Sequence, residues 1–251
     1  MGRLDGTVSI ITGGARGMGA SHVRGFVAEG GKVVIGDVLE NEGQTLAVEL
    51  GDSARFAKLD VTSDESWRHI IALTEREFGP VDILINNAGV VLWKPLGATS
   101  TEEFKRVVDI DLVGPFIGTR EVVPSIKKTG RGGVIINVSS TAGLQGFAYT
   151  SSYVAAKWGL RGLTKANALE LAQDNIRVVS VHPGAVETPM TEKVTPESYS
   201  QQPIPRMGKT DEVTSLMVYL AASATFSTGS EFVIDGGALL GPIVKVPLES
   251  E

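Results

Sequence analysis

Thr7-Val8-Ser9-Ile10-Ile11-Thr12-Gly13-Gly14-Ala15-Arg16-Gly17-Met18-Gly19 is an apolar, β-branched run that breaks into a glycine-rich turn. The run reads as a strand covered on both faces, and the turn reads as the start of a helix. Gly13, Gly17 and Gly19 let the backbone approach a diphosphate, and the unpaired amides of the helix N-terminus attract its charge. Strand, turn and helix in that order mark a dinucleotide site, to which Arg16 and Met18 also belong. The spacing Gly13-x-x-x-Gly17-x-Gly19 differs from G-x-G-x-x-G and points to a particular branch of dinucleotide enzymes.

The same alternation continues outward from this turn. Residues 7–12, 32–36, 55–59, 82–86, 133–138, 177–182 and 231–234 read as short strands, with helix-period segments between them. Thr62-x-x-Glu65 and Ser100-x-x-Glu103 match the capping box that starts a helix. Two long helices are expected over 102–128 and 152–174. This pattern predicts an α/β fold with a doubly wound parallel sheet of Rossmann type, helices on both faces, and a single domain over residues 1–251. The segment 185–207, rich in Pro, Thr, Ser and Gln, follows a strand end and reads as a substrate flap.

Composition narrows the class. A net charge of −6 argues against nucleic acid or an anionic membrane as the main partner. The absence of cysteine removes disulfides, thiolate metal sites and a cysteine nucleophile, and suits a reducing compartment. The N-terminus carries no apolar export run and no stretch is long enough to span a bilayer, so a cytoplasmic location is expected. His22, His69 and His182 are scattered and read as structural, and no metal is expected.

Asp37 follows the second strand, eighteen residues beyond Gly19. A carboxylate there accepts hydrogen bonds from ribose hydroxyls and repels a 2′-phosphate, which favours NAD. Arg16 points the other way, because an arginine in the turn can receive a phosphate. Asp60-Val61 closes the third strand near the expected adenine edge. Asn86-Asn87-Ala88-Gly89 closes the fourth, where small residues and amides brace the crevice.

Tyr153 and Lys157 lie four residues apart, on one helical face. A lysine cation stabilises a phenolate, so the pair is expected to lower the tyrosine's pKa towards the range of a proton-transfer catalyst.

These residues resemble the short-chain dehydrogenase/reductase family in its compact branch. The likeness covers nearly the whole chain: Thr12 to Gly19, Asp60, Asn86 to Gly89, Asn137-Val138-Ser139-Ser140, Tyr153-x-x-x-Lys157, and Pro183-Gly184 with Thr188. Within the family it looks most like the bacterial NAD-dependent 3α(20β)-hydroxysteroid dehydrogenases, notably in Ser151-Ser152-Tyr153, Ser180 to Gly184 and Asp235-Gly236-Gly237. The resemblance implies that Tyr153 is the general acid/base. Ser140, thirteen residues before it, bonds the same substrate oxygen. Lys157 binds the nicotinamide ribose. Pro183, Gly184, Thr188 and the backbone near Val186 form the nicotinamide site. One departure stands out: the family's usual helix asparagine is Asp111 here, a carboxylate without the amide donor. Asp111 is therefore a candidate fourth catalytic residue, with a helix-bracing role as the alternative.

Trp93, Leu144, Phe147, Tyr149, Met190 and Tyr199 are candidate walls of the substrate pocket, each with a core reading beside it. Such a lining suits a bulky hydrophobic secondary alcohol or ketone, such as a steroid, terpenoid or cyclic alcohol. Two alternatives compete. An NADPH-dependent 3-oxoacyl-carrier reductase is disfavoured by Asp37 and by Glu187, Glu192 and Glu197 in the flap. A catalytically silent nucleotide-sensing protein is disfavoured by the intact Ser140, Tyr153 and Lys157. The resemblance also implies a homotetramer built on the two long helices and on 232–246. The apolar tail 243–248 is expected to pack on a neighbouring subunit or over the active-site mouth.

Overall fold

Residues 2–241 are described by the computed structural model, so the apolar tail 243–248 lies outside the described residues. Seven strands form one sheet: β1 (Val8–Thr12), β2 (Lys32–Asp37), β3 (Ala54–Lys58), β4 (Ile83–Asn86), β5 (Gly133–Val138), β6 (Ile176–Pro183) and β7 (Glu231–Ile234). Their order is β3-β2-β1-β4-β5-β6-β7, and every neighbouring pair is parallel. Each strand lies within about a residue of its sequence-based range.

The sheet separates two apolar cores, and the alternation within each strand decides which core a residue joins. Ile11, Val33, Ile35, Ile85 and Ile136 face helices α1 (Gly17–Ala28), α2 (Glu40–Leu50) and α7 (Thr210–Ala222), packing with Val23, Phe26, Leu46 and Met217. Their neighbours Ile10, Val34, Leu84 and Ile135 point to the opposite layer. There α3 (Asp64–Glu77), α5 (Gly114–Lys128) and α6 (Ser151–Leu171) contribute Trp67, Ile70, Ile117, Ile126 and Leu171. Fully buried residues of this size stabilise the fold by about 1.5–3 kcal/mol each. This two-sided burial is why the strands are nearly continuous in Val and Ile.

Helix starts agree with the sequence in one case and correct it in the other. Ser100 and Glu103 form a complete capping box at the start of α4 (Thr101–Val108). At α3 the cap is Ser63, whose side chain accepts from Ser66 N, and not Thr62. Thr62 is diverted because its amide and hydroxyl both donate to Asp60 Oδ1, at 2.9 and 2.7 Å. The long helix predicted over 102–128 is α4 and α5 joined by a π-turn at Asp109–Val113. Among the described residues no helix is long and apolar enough to cross a membrane.

Because β1 lies between β2 and β4, the chain reverses direction across the sheet at this point, leaving a crevice at the strands' carboxyl ends. The segment 185–207 follows β6. Its base is tied by a Val186–Gly208 bridge, and Ile204 N donates to Gly236 O at 2.9 Å.

Candidate active site

The crevice is a cleft of about 410 Å³. Its floor is the glycine turn, lined by Gly13, Arg16, Gly17, Met18 and Gly19. Gly13 and Gly17 take φ of 61° and 57°, a region that side chains rarely adopt. A Cβ on Gly19 would lie 2.0 Å from Gly13 O, so only glycine permits this close turn. Among the described residues no side chain caps α1, and its first residues Gly17, Met18 and Gly19 line the cleft. Thr12 Oγ1 accepts from both Asn87 N and Ala88 N at 3.0 Å, and Asn87 Nδ2 donates to Thr12 O at 2.9 Å. These bonds stitch the Asn-Asn-Ala-Gly turn to the glycine turn. Asn87, Ala88 and Gly89 line the cleft, where Asn87 Oδ1 is buried without a hydrogen-bond partner among the described residues. A glycine cradle, free helix amides and an orphaned acceptor fit a dinucleotide.

Asp37, Asp60 and Val61 also line the cleft. Asp37 is 8% exposed; its two oxygens accept from Ala15 N at 3.0 Å and Leu39 N at 3.1 Å. Those bonds fix the carboxylate at the rim. Asp60 is exposed and engages Thr62 through one oxygen, while the Val61 side chain belongs to the core. Val38, Leu39, Leu59, Val90, Arg106 and Ile110 also line the cleft and were not singled out by the sequence. Arg106 and Ile110 come from α4 and the π-turn, so only the folded chain brings them there.

Ser140, Tyr153 and Lys157 gather beyond the Gly89 end of the cleft. Ser140 is extended, with φ −169°, and caps the short helical turn Thr141–Gly143. Its Oγ accepts from Ala142 N at 3.1 Å, which leaves the hydroxyl proton free to be donated outward. His182 Nδ1 lies 3.0 Å from Ser140 O, and Arg161 Nη1 donates to Gly143 O at 2.8 Å. Glu231 on β7 holds Arg161 through both carboxylate oxygens, at 3.0 and 3.1 Å. The serine turn is thus pinned from β6 and α6. This role for His182 and Arg161 had no signal in the sequence beyond the proximity of His182 to a strand end.

Lys157 Nζ lies 5.4 Å from the centre of the Tyr153 ring and donates to Val138 O at 3.0 Å. It also faces Asp111 Oδ2 at 3.1 Å, with side-chain exposures of 5% and 0% for the two partners. Asp111 Oδ1 accepts from Val90 N at 2.8 Å. A Cβ on Gly89 would lie 2.8 Å from Asp111 Oδ2 and 3.4 Å from Lys157 Nζ, so the turn closes directly over the ion pair.

Lys157 does draw the tyrosine's pKa down, as its spacing predicts, but the expected net lowering is corrected: the shift is upward. Tyr153 is partly buried, and that desolvation raises it above the ordinary phenol value. Lys157 and the Ser140 hydroxyl lower it, but Asp111 raises it again, and the upward effects prevail. Burial pushes the Asp111 carboxyl up against the pull of Lys157 and of the Val90 amide. For Lys157 burial pulls downward, but Asp111 and then Tyr153 more than offset it.

The remaining candidates are more dispersed. Thr188 and Met190 line the cleft, and a Cβ on Gly17 would come within 3.6 Å of Thr188. Pro183 and Val186 are buried, Val186 within the core, and its carbonyl accepts from Thr191 Oγ1 at 2.5 Å. Gly184 packs on Asp235. Trp93, Phe147 and Tyr149 are exposed, while Leu144 and Tyr199 are partly buried. Lys94 N donates to Tyr149 O at 2.8 Å, joining the two aromatic loops, and Tyr149 takes a φ of 67°.

A family model described as short chain dehydrogenase matches residues 7–198. The chain is 48% identical over 241 residues to a 3-alpha-(or 20-beta)-hydroxysteroid dehydrogenase of Mycobacterium tuberculosis (strain ATCC 25618 / H37Rv), covering 96% of this chain and 92% of the relative. It is 43% identical over 249 residues to a trans-4-hydroxycyclohexanecarboxylate dehydrogenase of Sinomonas cyclohexanicum, covering 95% of each. An NADP-dependent (R)-specific alcohol dehydrogenase of Lentilactobacillus kefiri is 37% identical over 245 residues, 94% of this chain and 97% of the relative.

Proposed function

The chain belongs to the short-chain dehydrogenase family and is an oxidoreductase; from that premise we propose that it moves a hydride between NAD(H) and a bulky hydrophobic secondary alcohol or ketone. The observation that carries this reading is the convergence of Ser140, Tyr153 and Lys157 at the Gly89 end of a glycine-floored cleft. The nicotinamide, when bound, supplies or accepts the hydride. Everything else is work for the chain's own groups.

The glycine turn and α1 amides hold the diphosphate, Asp37 accepts from the adenine-side ribose, and Asp60 with Val61 flanks the base. Asn87, Ala88 and Gly89 back the second ribose with Lys157. Pro183, Gly184, Val186 and Thr188 border the nicotinamide. In reduction the Tyr153 phenol donates its proton to the carbonyl oxygen; in oxidation the phenolate takes the hydroxyl proton. Ser140, whose Oγ already accepts from Ala142 N, has its own proton left for that same oxygen as charge develops there.

Asp37 favours NAD, and Arg16, which also lines the cleft, is the feature of the turn that would welcome a phosphate. The steroid and cyclic-acid relatives support a bulky ring substrate, with Trp93, Leu144, Phe147, Tyr149, Met190 and Tyr199 as its candidate contacts. A carrier-protein substrate is disfavoured further because Arg206 in the flap is paired with Glu212 at 2.7 Å. Exposed Phe104, Val113, Phe116, Trp158 and Leu169 on the α4–α6 side favour a homotetramer, and the cysteine-free composition a cytoplasmic one.

The test is the initial rate of NAD⁺ and NADP⁺ reduction over steroidal, terpenoid, cyclic and short-chain secondary alcohols, with Tyr153→Phe as control. We expect NAD⁺ turnover on bulky alcohols, lowered by ~100-fold or more in Tyr153→Phe with cofactor binding retained. Wild-type turnover in that variant would remove Tyr153 from its role, and preference for NADP⁺ would overturn the role of Asp37.

A further inference from the structure

A carboxylate with no exposed surface stands within an ion pair's distance of the lysine that serves the tyrosine. Asp111 Oδ1 is fixed by the Val90 amide, so the side chain cannot swing away, and Oδ2 is left at 3.1 Å from Lys157 Nζ. At that distance the interaction with Lys157 is chiefly one of charge. Any side chain at position 89 would run into Asp111 Oδ2 and reach Lys157 Nζ, so glycine there leaves the pair undisturbed. The lysine therefore carries a counter-charge of its own before any phenolate forms. We propose that Asp111 is a tuning residue which neutralises Lys157 and so moves the proton chemistry of Tyr153 towards higher pH.

The inference rests on Tyr153 being the acid/base. Its sign follows from charge alone. A cation beside a phenol favours the phenolate, and a carboxylate held against that cation cancels the help. Burial already raises Tyr153, and Asp111 adds to the rise. The consequence is directional: a tyrosine that keeps its proton at neutral pH is poised to act as an acid, which serves ketone reduction.

Other charged groups around the site do not supply this effect. His182 behind Ser140 is kept neutral by burial, its pKa lowered. Glu231 is bonded by Arg161 and Lys165, and that pairing holds its carboxyl at about 2. The loop 88–90 carries no titratable side chain.

The experiment is the pH dependence of kcat/KM for alcohol oxidation, which rises as Tyr153 loses its proton, in wild type, Asp111→Asn, Asp111→Ser and Asp111→Glu. The two neutral variants should reach half their plateau about one pH unit lower than wild type. At pH values below that midpoint they should be up to about tenfold faster. Asp111→Glu keeps the charge and should keep the wild-type midpoint. Two neutral variants are used so that the profile is read from whichever retains a cooperative melt and cofactor binding. An unchanged midpoint overturns the proposal. So does a shift to higher pH, the result if Lys157 loses its proton together with its partner. Failure of the underlying reading looks different: Tyr153→Phe would then remain active, whatever the Asp111 variants do.

Discussion

His182 Nδ1 lies 3.0 Å from the main-chain oxygen of Ser140, and its Nε2 lies 2.9 Å from Ser180 Oγ. A carbonyl oxygen only accepts, so Nδ1 carries the proton and the Ser180 hydroxyl donates to Nε2. Two fully buried residues of β6 thereby fix the backbone from which the Ser140 hydroxyl projects. His182→Leu strands that carbonyl and should lower kcat about tenfold or more while leaving cofactor affinity unchanged. His182→Asn, which restores an amide donor, should recover much of the loss. Steady-state kinetics decide the matter: a wild-type kcat in the leucine variant would show that the bond only braces the strand.

Asp37 holds the Ala15 and Leu39 amides as well as facing the cleft. Asp37→Ser should cost NAD⁺ at least about tenfold in kcat/KM, and NADP⁺ should gain relative to it because the repelling carboxylate is gone. The ratio of kcat/KM for the two cofactors is the readout; an unaltered ratio contradicts the assignment.

Gly19→Ala would place a methyl group 2.0 Å from Gly13 O, a backbone atom that cannot yield cheaply. Cofactor binding, followed by quenching of tryptophan fluorescence, should weaken severely. The melting temperature should drop too, since the turn is packed on Asn87. Normal binding in this variant would mean that the diphosphate lies elsewhere.

His22 is buried with its Nδ1 2.8 Å from Thr214 Oγ1, and desolvation pulls its pKa from 6.5 to about 3. The unfolded chain takes up a proton first as the pH falls below 6.5, so this burial stabilises the fold above that pH. The contribution is lost progressively down to about pH 3, by about 1.4 kcal/mol per pH unit at most. Denaturant melts at pH 7 and pH 5 should therefore separate less in His22→Gln than in wild type. Equal separation in the two proteins would assign the acid sensitivity to other groups.

The fold was legible because each strand is a dense β-branched run buried on two sides, and because glycine and capping residues mark the joints. What the sequence withheld is decided by contacts. The choice between Thr62 and Ser63 as helix cap turns on Asp60 capturing the threonine. Arg106 and Ile110 reach the cleft only through the packing of α4 against α6. Tyr153 and Lys157 could be paired from their spacing, yet the direction of the tyrosine's shift could not. That depends on burial and on a carboxylate more than forty residues away in the chain. Asp111 was visible as an unusual residue; its partner was not.

The π-turn at Asp109–Val113 gives the helix a surplus residue, closing Gly114 N onto Asp109 O. Since a regular helix advances by 3.6 residues per turn, one extra residue steps the following face by about 100°. The aim of Asp111 is accordingly a matter of chain length as well as of residue type. Removing one neighbouring residue within this turn would keep Asp111 and Lys157 in the sequence, mend the helical winding, and carry the carboxylate round its cylinder away from the ammonium. A family of single-residue deletions here, each compared with a deletion in the exposed segment 192–198, should lose the pH behaviour set by Asp111 while retaining a folded sheet. This part of the molecule is thus sensitive to its residue count as well as to its residue types.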